Sequence, residues 1–146
     1  FNTPNIEEQI ASKEVLLGTT DVHGEGIVIN INDGNDLIHQ EDIVILLDEL
    51  KNTGAEAISV NEQRVVPTTS IECGGNIITV NGQKIGSPFV IKAIGLPETL
   101  ANLSRPDGTL ARLKERKIKV ELQKNNDITI PKYTGVFSFK YAKSID

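Results

Sequence analysis

The sequence contains the residue types of a thiol hydrolase. Its single cysteine is Cys73, and its two histidines are His23 and His39. A nucleophilic thiol needs an adjacent base and a third group that orients this base. The carboxylates that could fill the third role are Asp21, Asp36 and Asp42.

The position of Cys73 argues against thiol chemistry. Residues 63–73 are typical of one long strand, in which Val65, Ile71 and Cys73 face the same way. A thiol packed in an apolar core is inert, because burial disfavours the thiolate. We therefore expect Cys73 to be a core residue and the protein not to be an enzyme.

Two loop motifs could bind ions, but neither has the required context. Residues 24–26 (Gly-Glu-Gly) resemble part of a phosphate-binding loop, yet such loops follow a strand and open a helix, whereas this one opens a strand. Asn30, Asn32, Asp33 and Asp36 offer oxygen ligands without the glycine and glutamate spacing of a calcium loop. One cysteine and two histidines cannot form a structural zinc site. We expect no metal and no cofactor.

Polar side chains around two predicted turns form a candidate partner or ligand surface, although a structural role is the favoured interpretation for Glu56 and Arg64. A two-residue turn at residues 61–62 sets Ser59 opposite Arg64, and this register places Glu56 and Arg64 on different faces of the sheet. Glu56 shares a face with apolar residues, so it either lies near the end of the sheet or needs a donor. The residues of this surface are Glu56, Asn61, Arg64 and Asn81.

Composition restricts the partners. The chain has 146 residues, with 15 basic and 20 acidic side chains, a net charge of −5 and 4% aromatic residues. A nucleic-acid groove needs basic side chains and stacking rings, so nucleic acid is not an expected partner. No apolar run reaches the roughly 18 residues of a membrane span. The sequence begins with Phe1 and contains no methionine, so we expect a segment upstream of it.

The first 18 residues are typical of a helix. Ile6, Ile10 and Leu17 follow helical spacing, and Lys13 interrupts the same stripe. Either this helix packs on the core of its own domain, or it is the end of an upstream coiled coil that pairs with another chain. We predict partial docking by residues 15–17, with Ile6 and Ile10 more exposed and available for self-association.

Residues 19–146 are predicted to form a single α+β domain. A strand from Glu25 alternates apolar and polar residues, and a helix follows at residues 40–53. The buried stripe of this helix is predicted to be Ile43, Leu46, Leu47 and Leu50. Further strands are predicted at residues 55–60, 63–73, 76–80, 88–94, 118–123, 127–130 and 136–141, with two short helices at Pro97 and Leu110.

The predicted order of strands and helices indicates a two-layer fold. It corresponds to a ferredoxin-like split βαβ arrangement with an added β-hairpin and the N-terminal helix. Helices should cover one face of the sheet. The other face should collect the polar residues Asn30, Asn32, Lys119 and Glu121.

Seven stretches of the sequence resemble those of a known family. They are residues 22–28, 37–43, 48–61, 63–66, 81–82, 93–95 and 139–143. On these stretches the sequence resembles the bacterial division-initiation family of YlxW- and YlxX-like proteins, a domain of unknown function. It departs from the family at two positions: Glu25 stands where the family often has proline, and Glu62 where glycine is common.

The resemblance implies a cellular setting more than a chemistry. Members of this family resemble single-pass membrane proteins, with an N-terminal anchor, a coiled coil and this domain outside the cytoplasmic membrane. We therefore expect a non-enzymatic interaction or scaffold domain of an anchored envelope protein, linked to cell division, that reaches the membrane only through a segment missing from this chain. The alternative is a small-molecule sensing domain, for which the fold is the only argument.

Overall fold

The computed structural model describes Ile6, Val15 and residues 17–33 and 37–135. Within residues 19–33 and 37–135, three helices accompany two antiparallel sheets. The strands are β1 (Val22–Asn32), β2 (Ala57–Val60), β3 (Gln63–Arg64), β4 (Ile71–Gly74), β5 (Ile77–Val80), β6 (Gln83–Ile85), β7 (Phe89–Ile94) and β8 (Lys119–Ile130). The helices are α1 (Gln40–Asn52), α2 (Pro97–Leu100), which continues as a 3-10 turn over Ala101–Ser104, and α3 (Thr109–Glu115). The fold class is α+β, as predicted.

The larger sheet has five strands in the order β3-β2-β7-β1-β8. Its main apolar cluster lies between one face of this sheet and the helices, and it includes Ile27, Ile29 and Ile31 from alternate positions of β1. The predicted stripe of α1 is confirmed, since Ile43, Leu46, Leu47 and Leu50 are all buried. β7 lies at the centre of the sheet, also as predicted.

The opposite face of the large sheet has a smaller apolar cluster of its own. Ala57, Ile94, Ile128 and Ile130 are buried together there. The antiparallel pairing of β1 with β8 contains a bulge between Gly24 and Gly26, and beyond it Val22 of β1 and Ile128 and Ile130 of β8 belong to this second cluster. The polar half of this face is as expected: Asn32, Lys119 and Glu121 are exposed.

Gly26 allows β1 to approach β7 closely. A Cβ atom at this position would lie 1.9 Å from the carbonyl oxygen of Ala93, which is closer than any real contact. Close packing therefore explains why this position is glycine. Gly26 belongs to the Gly-Glu-Gly motif that resembled part of a phosphate-binding loop.

The smaller sheet contradicts the long strand predicted at residues 63–73. The chain leaves the large sheet after Arg64, turns at Pro67 and Thr69, and begins β4 in a separate sheet of order β4-β5-β6. Proline lacks the N–H that a continuing ladder would need. Cys73 is therefore exposed and not a core residue; it lies on the outer strand β4, opposite buried Ile78, where the apolar cluster ends.

Two further predictions need correction, and two lie outside the described residues. The strands predicted at residues 118–123 and 127–130 form the single strand β8, because β1 pairs along almost its whole length and the bulge absorbs the extra residue. β1 begins at Val22 and not at Glu25. The predicted strand at residues 136–141 lies outside the described residues, as do Ile10, Lys13 and Leu16 of the predicted N-terminal helix.

The described residues of that helix show a mixed outcome. Ile6, Val15 and Leu17 are helical. Ile6 is 73% exposed, as predicted, and Val15 is half-buried. Leu17 is 42% exposed, so the docking predicted for its side chain is partial at most.

Candidate functional site

An apolar groove lies at the β3 side of the large sheet, where the end of α1 meets the start of β2. Its volume is about 330 Å³. Backbone segments after α1 and after β3 form its walls, and most of its lining is apolar. The lining residues are Val15, Lys51, Ala55, Glu56, Ala57, Ile58, Arg64, Val65, Val66 and Pro67.

The rim of the groove has charges of both signs. Glu56 and Lys51 are exposed and line the groove from opposite sides of the connection between α1 and β2. The Glu56 backbone N–H donates to the carbonyl of Ile94 at 2.8 Å, which holds this residue at the end of the sheet. Its carboxylate therefore lies at the sheet's end, as one of the two alternatives predicted.

Arg64 lies beneath the groove and is 2% exposed. Its Nη1 donates to the carbonyls of Thr20 and Pro131 at 3.0 and 3.2 Å, and its Nη2 donates to the carbonyl of Val15 at 2.9 Å. Burial lowers the pKa of the guanidinium, and the charge of Asp21 opposes this shift. The side chain predicted to face a partner therefore binds three backbone segments of its own chain.

The backbone around Arg64 is packed closely. Gly18 has a φ of +73°, and a Cβ there would lie 2.5 Å from Cγ1 of Val66 and 3.1 Å from Cγ of Arg64. The carbonyl of Gly18 accepts a hydrogen bond from the Tyr133 N–H at 2.6 Å. The end of the N-terminal helix and the residues after β8 thus meet beside Arg64.

Asn61 and Asn81 both begin tight turns, as their sequence context predicts. Both central residues of each turn have positive φ: 47° and 67° at Asn61 and Glu62, and 54° and 77° at Asn81 and Gly82. The Asn61 Oδ1 accepts from the Val90 N–H at 2.6 Å. The predicted register of the first turn is confirmed, with Ser59 opposite Arg64.

The outer edge of the sheet at β3 is closed by side chains. Asn81 Nδ2 donates to the carbonyl of Arg64 at 2.8 Å, and Thr69 Oγ1 donates to the same oxygen at 3.4 Å. The Thr69 hydroxyl in turn accepts from the Val66 N–H at 2.7 Å. Backbone groups that would otherwise be available to another strand are satisfied within the chain.

The four candidate residues do not form one polar site. Glu56 and Arg64 line the groove, whereas Asn61 and Asn81 are outside it and hold turns. Sequence reasoning did not identify the apolar lining. Residues 65–67 could have indicated it, since two valines there precede a proline. A proline ends the strand, and the two apolar side chains before it are then left beside the sheet.

The residues considered for thiol chemistry are not arranged as a catalytic triad requires. Cys73, His39 and Asp33 line a separate small cavity of about 110 Å³. Among the described residues, no hydrogen bond joins the Cys73 thiol to His39; the thiol donates to the Gly75 carbonyl at 3.3 Å. His23 does not line this cavity. Its Nδ1 lies 3.3 Å from Asp127 Oδ1 at the surface.

Two other kinds of feature are absent from the described residues. No group of three or more histidine, cysteine, aspartate or glutamate side chains there could hold a metal ion. No helix in the same part of the chain has the length and apolar character needed to cross a membrane. The apolar groove is a candidate site because its lining is suited to binding.

Comparisons with known proteins agree with one another. Residues 9–143 match the model of a family described as bacterial protein of unknown function, DUF881. The chain is 28% identical over 135 residues to UPF0749 protein YlxW of Bacillus subtilis, covering 85% of this chain and 58% of that protein. It is 26% identical over 144 residues to UPF0749 protein Rv1825 of Mycobacterium tuberculosis, covering 95% of this chain and 49% of that protein.

A solved structure has the same fold. It is the crystal structure of an uncharacterized conserved protein from Mycobacterium tuberculosis, with a TM-score of 0.83 and 26% sequence identity. The match covers 94% of this chain and 99% of that one. The chain thus spans about half the length of the longer relatives but nearly all of the solved structure.

Proposed function

We propose that this chain, which belongs to the bacterial family of unknown function DUF881, is a non-enzymatic protein-interaction domain. The observation that carries this proposal is the open apolar groove between α1, β2 and residues 64–67. Apolar surface that is exposed in a concave site is a typical feature of binding sites.

The groove suits an apolar side chain presented by a protein partner. Its lining consists mainly of aliphatic side chains, among them Val65, which is half-buried and faces the open space. The rim then adds selectivity, because Glu56 favours a basic neighbour on the partner and Lys51 an acidic one. A peptide segment with one large apolar residue between charged residues has this chemistry.

Selection of peptides against the whole chain tests this site. Peptides selected from a random library should share an apolar residue beside a basic one, and they should shift the NMR signals of Ala57, Val65 and Val66. Glu56→Lys should weaken binding of these peptides about tenfold or more. Glu72→Lys, the same charge change at an exposed position of β4, is the matched control and should bind normally.

Two results would contradict the groove as the interaction site. One is a set of selected peptides whose signals shift only elsewhere on the domain. The other is binding that Glu56→Lys and Glu72→Lys affect equally, since this would indicate an effect of net charge and not of the groove rim.

A small-molecule sensing domain is the second candidate, and the groove volume favours it. At about 330 Å³, the groove is at the lower end of the range for small-molecule sites, roughly 300 to 1,000 Å³. A metabolite collection screened by thermal unfolding should then contain a compound that raises the melting temperature of the chain but not of Glu56→Lys. The protein-interaction proposal expects no such compound.

We propose the outer side of the cytoplasmic membrane as the location of this domain, and a scaffold role in envelope assembly or division as its setting. The support is the family resemblance together with the greater length of the relatives, which leaves room for an anchor. Protease added to intact cells that produce the full-length protein should remove this domain. Protection until the cells are lysed would contradict the location.

We also propose that the large sheet is ferredoxin-like. Its antiparallel order β2-β7-β1-β8 supports this proposal, as do the helices that connect β1 to β2 and β7 to β8. The three-stranded sheet is inserted between β3 and β7.

A further inference from the structure

β8 is the outer strand of the large sheet, and its length is unusual for such a position. It has twelve residues, of which ten pair with β1. Among the described residues, no strand pairs with its other side. Long outer strands present a row of backbone donors and acceptors, and they readily add another strand.

The other outer strand of the same sheet is protected. β3 has only two residues, and the side chains of Thr69 and Asn81 occupy the backbone groups beside it. Within the described residues, the edge at β3 is protected by side chains, whereas no strand lies beside the outer side of β8. The bulge near Asn126 limits regular pairing on β8 to the residues before it.

The side chains of β8 alternate in a way that suits a reversed copy of the same strand. Val120 and Leu122 are half-buried against the apolar cluster under the helices. Lys119 and Glu121 are exposed on the opposite face, and their charges are opposite. In an antiparallel pair about Val120, each Lys119 lies directly opposite Glu121 of the other chain, and Val120 lies opposite Val120.

We infer that β8 of this chain pairs antiparallel with β8 of a second copy, about a two-fold axis at Val120. The pairing joins two five-stranded sheets into one and places two Lys119–Glu121 contacts between the chains. Both chains contribute the same surface, as a closed two-fold dimer requires. This contact is separate from the groove, which lies at the β3 side of the sheet.

Charge reversal on β8 tests the inference. Lys119→Glu alone and Glu121→Lys alone each place like charges opposite each other, so each should raise the dissociation constant of the dimer about tenfold or more. The double variant, Lys119→Glu with Glu121→Lys, should restore dimerisation. A mixture of the two single variants should form a mixed dimer, because acidic pairs then face basic pairs.

The measurement is sedimentation equilibrium of the whole chain over a range of concentrations, with circular dichroism to confirm that each variant is folded. Both positions are exposed, so folding should persist. Glu72→Lys is the control and should dimerise like the unchanged chain. An unchanged chain that stays monomeric at millimolar concentration overturns the inference, as does a dimer that is indifferent to the β8 charges but is lost in Ile6→Asp.

Discussion

The two edges of the large sheet differ in almost every respect. β3 is two residues long, begins after a tight turn and is closed by Asn81 and Thr69. β8 is twelve residues long and has mainly exposed side chains before its buried end. The short edge lies beside the groove and contains the buried guanidinium of Arg64, whereas the ion pairs of the long edge, Lys119–Glu121 and Lys124–Glu98, lie at the surface.

This difference separates polar side chains that stabilise the fold from polar side chains that are free to contact another molecule. Hydrogen bonds at the β3 side use buried or half-buried groups and hold the chain together. The ion pair of Lys119 and Glu121 is exposed at both ends and contributes little to stability within one chain. Substitutions at the two edges should therefore act on different properties: folding at β3, and association at β8.

Arg64→Ala should have the largest effect on stability. It leaves three backbone carbonyls without a charged donor and removes a fully buried side chain, so we expect a loss of about 3 to 5 kcal/mol in the free energy of unfolding. Urea unfolding measures this value. Arg105→Ala is the control, since Arg105 is exposed and paired only with exposed Asp107, and it should change stability by less than about 0.5 kcal/mol. Equal effects of the two variants would contradict the structural role of Arg64.

Asn81 closes the short edge, and two substitutions separate its two roles. Asn81→Gly keeps the positive φ of the turn but loses the bond to the Arg64 carbonyl, so it should cost about 1 kcal/mol. Asn81→Ala also introduces strain in the left-handed region, so it should cost about 2 to 3 kcal/mol. Urea unfolding of both variants measures the difference. Equal losses of stability in the glycine and alanine variants would contradict a contribution from the positive φ of Asn81.

Glu62→Gly should have the smallest effect, and it should stabilise the protein. Glu62 has a φ of 67°, which costs an L-residue about 1 to 2 kcal/mol, and glycine removes this strain. The substitution also loses the 2.6 Å ion pair with Lys92, in which Glu62 is exposed and Lys92 is half-buried, and glycine adds freedom to the unfolded chain. We expect a net gain of about 0.5 kcal/mol, measured as a higher melting temperature. The control Glu62→Gln keeps the strain and should not stabilise.

Local patterns predicted those parts of the fold that depend on neighbours in sequence. The stripe of α1 follows helical spacing, and the two turns at Asn61 and Asn81 follow from residue types that tolerate positive φ. The register of β2 and β3 then follows from the turn length. Each of these features is decided within a few residues, so the sequence contains all the information that the prediction needs.

Features that depend on distant residues were predicted wrongly or not at all. Alternation at residues 63–73 was compatible with one strand, but the chain changes sheets at Pro67 and Cys73 becomes exposed. Arg64 was placed on a candidate surface because it lies beside the turn at residues 61–62; its burial depends on carbonyls from Val15, Thr20 and Pro131. The groove was missed because its shape depends on how residues 51–58 and 64–67 pack together and on Val15, which joins them from the N-terminal segment.

The hydrogen bonds of Arg64 also have a consequence for the order of folding. They connect residues separated by 44, 49 and 67 positions along the chain, so they close large loops. Contacts of this kind are costly in entropy until both ends are already placed, which favours their formation late, after β2, β7, β1 and β8 have formed the sheet. Arg64→Ala should therefore accelerate unfolding and leave the refolding rate nearly unchanged, with a φ-value near zero in stopped-flow kinetics.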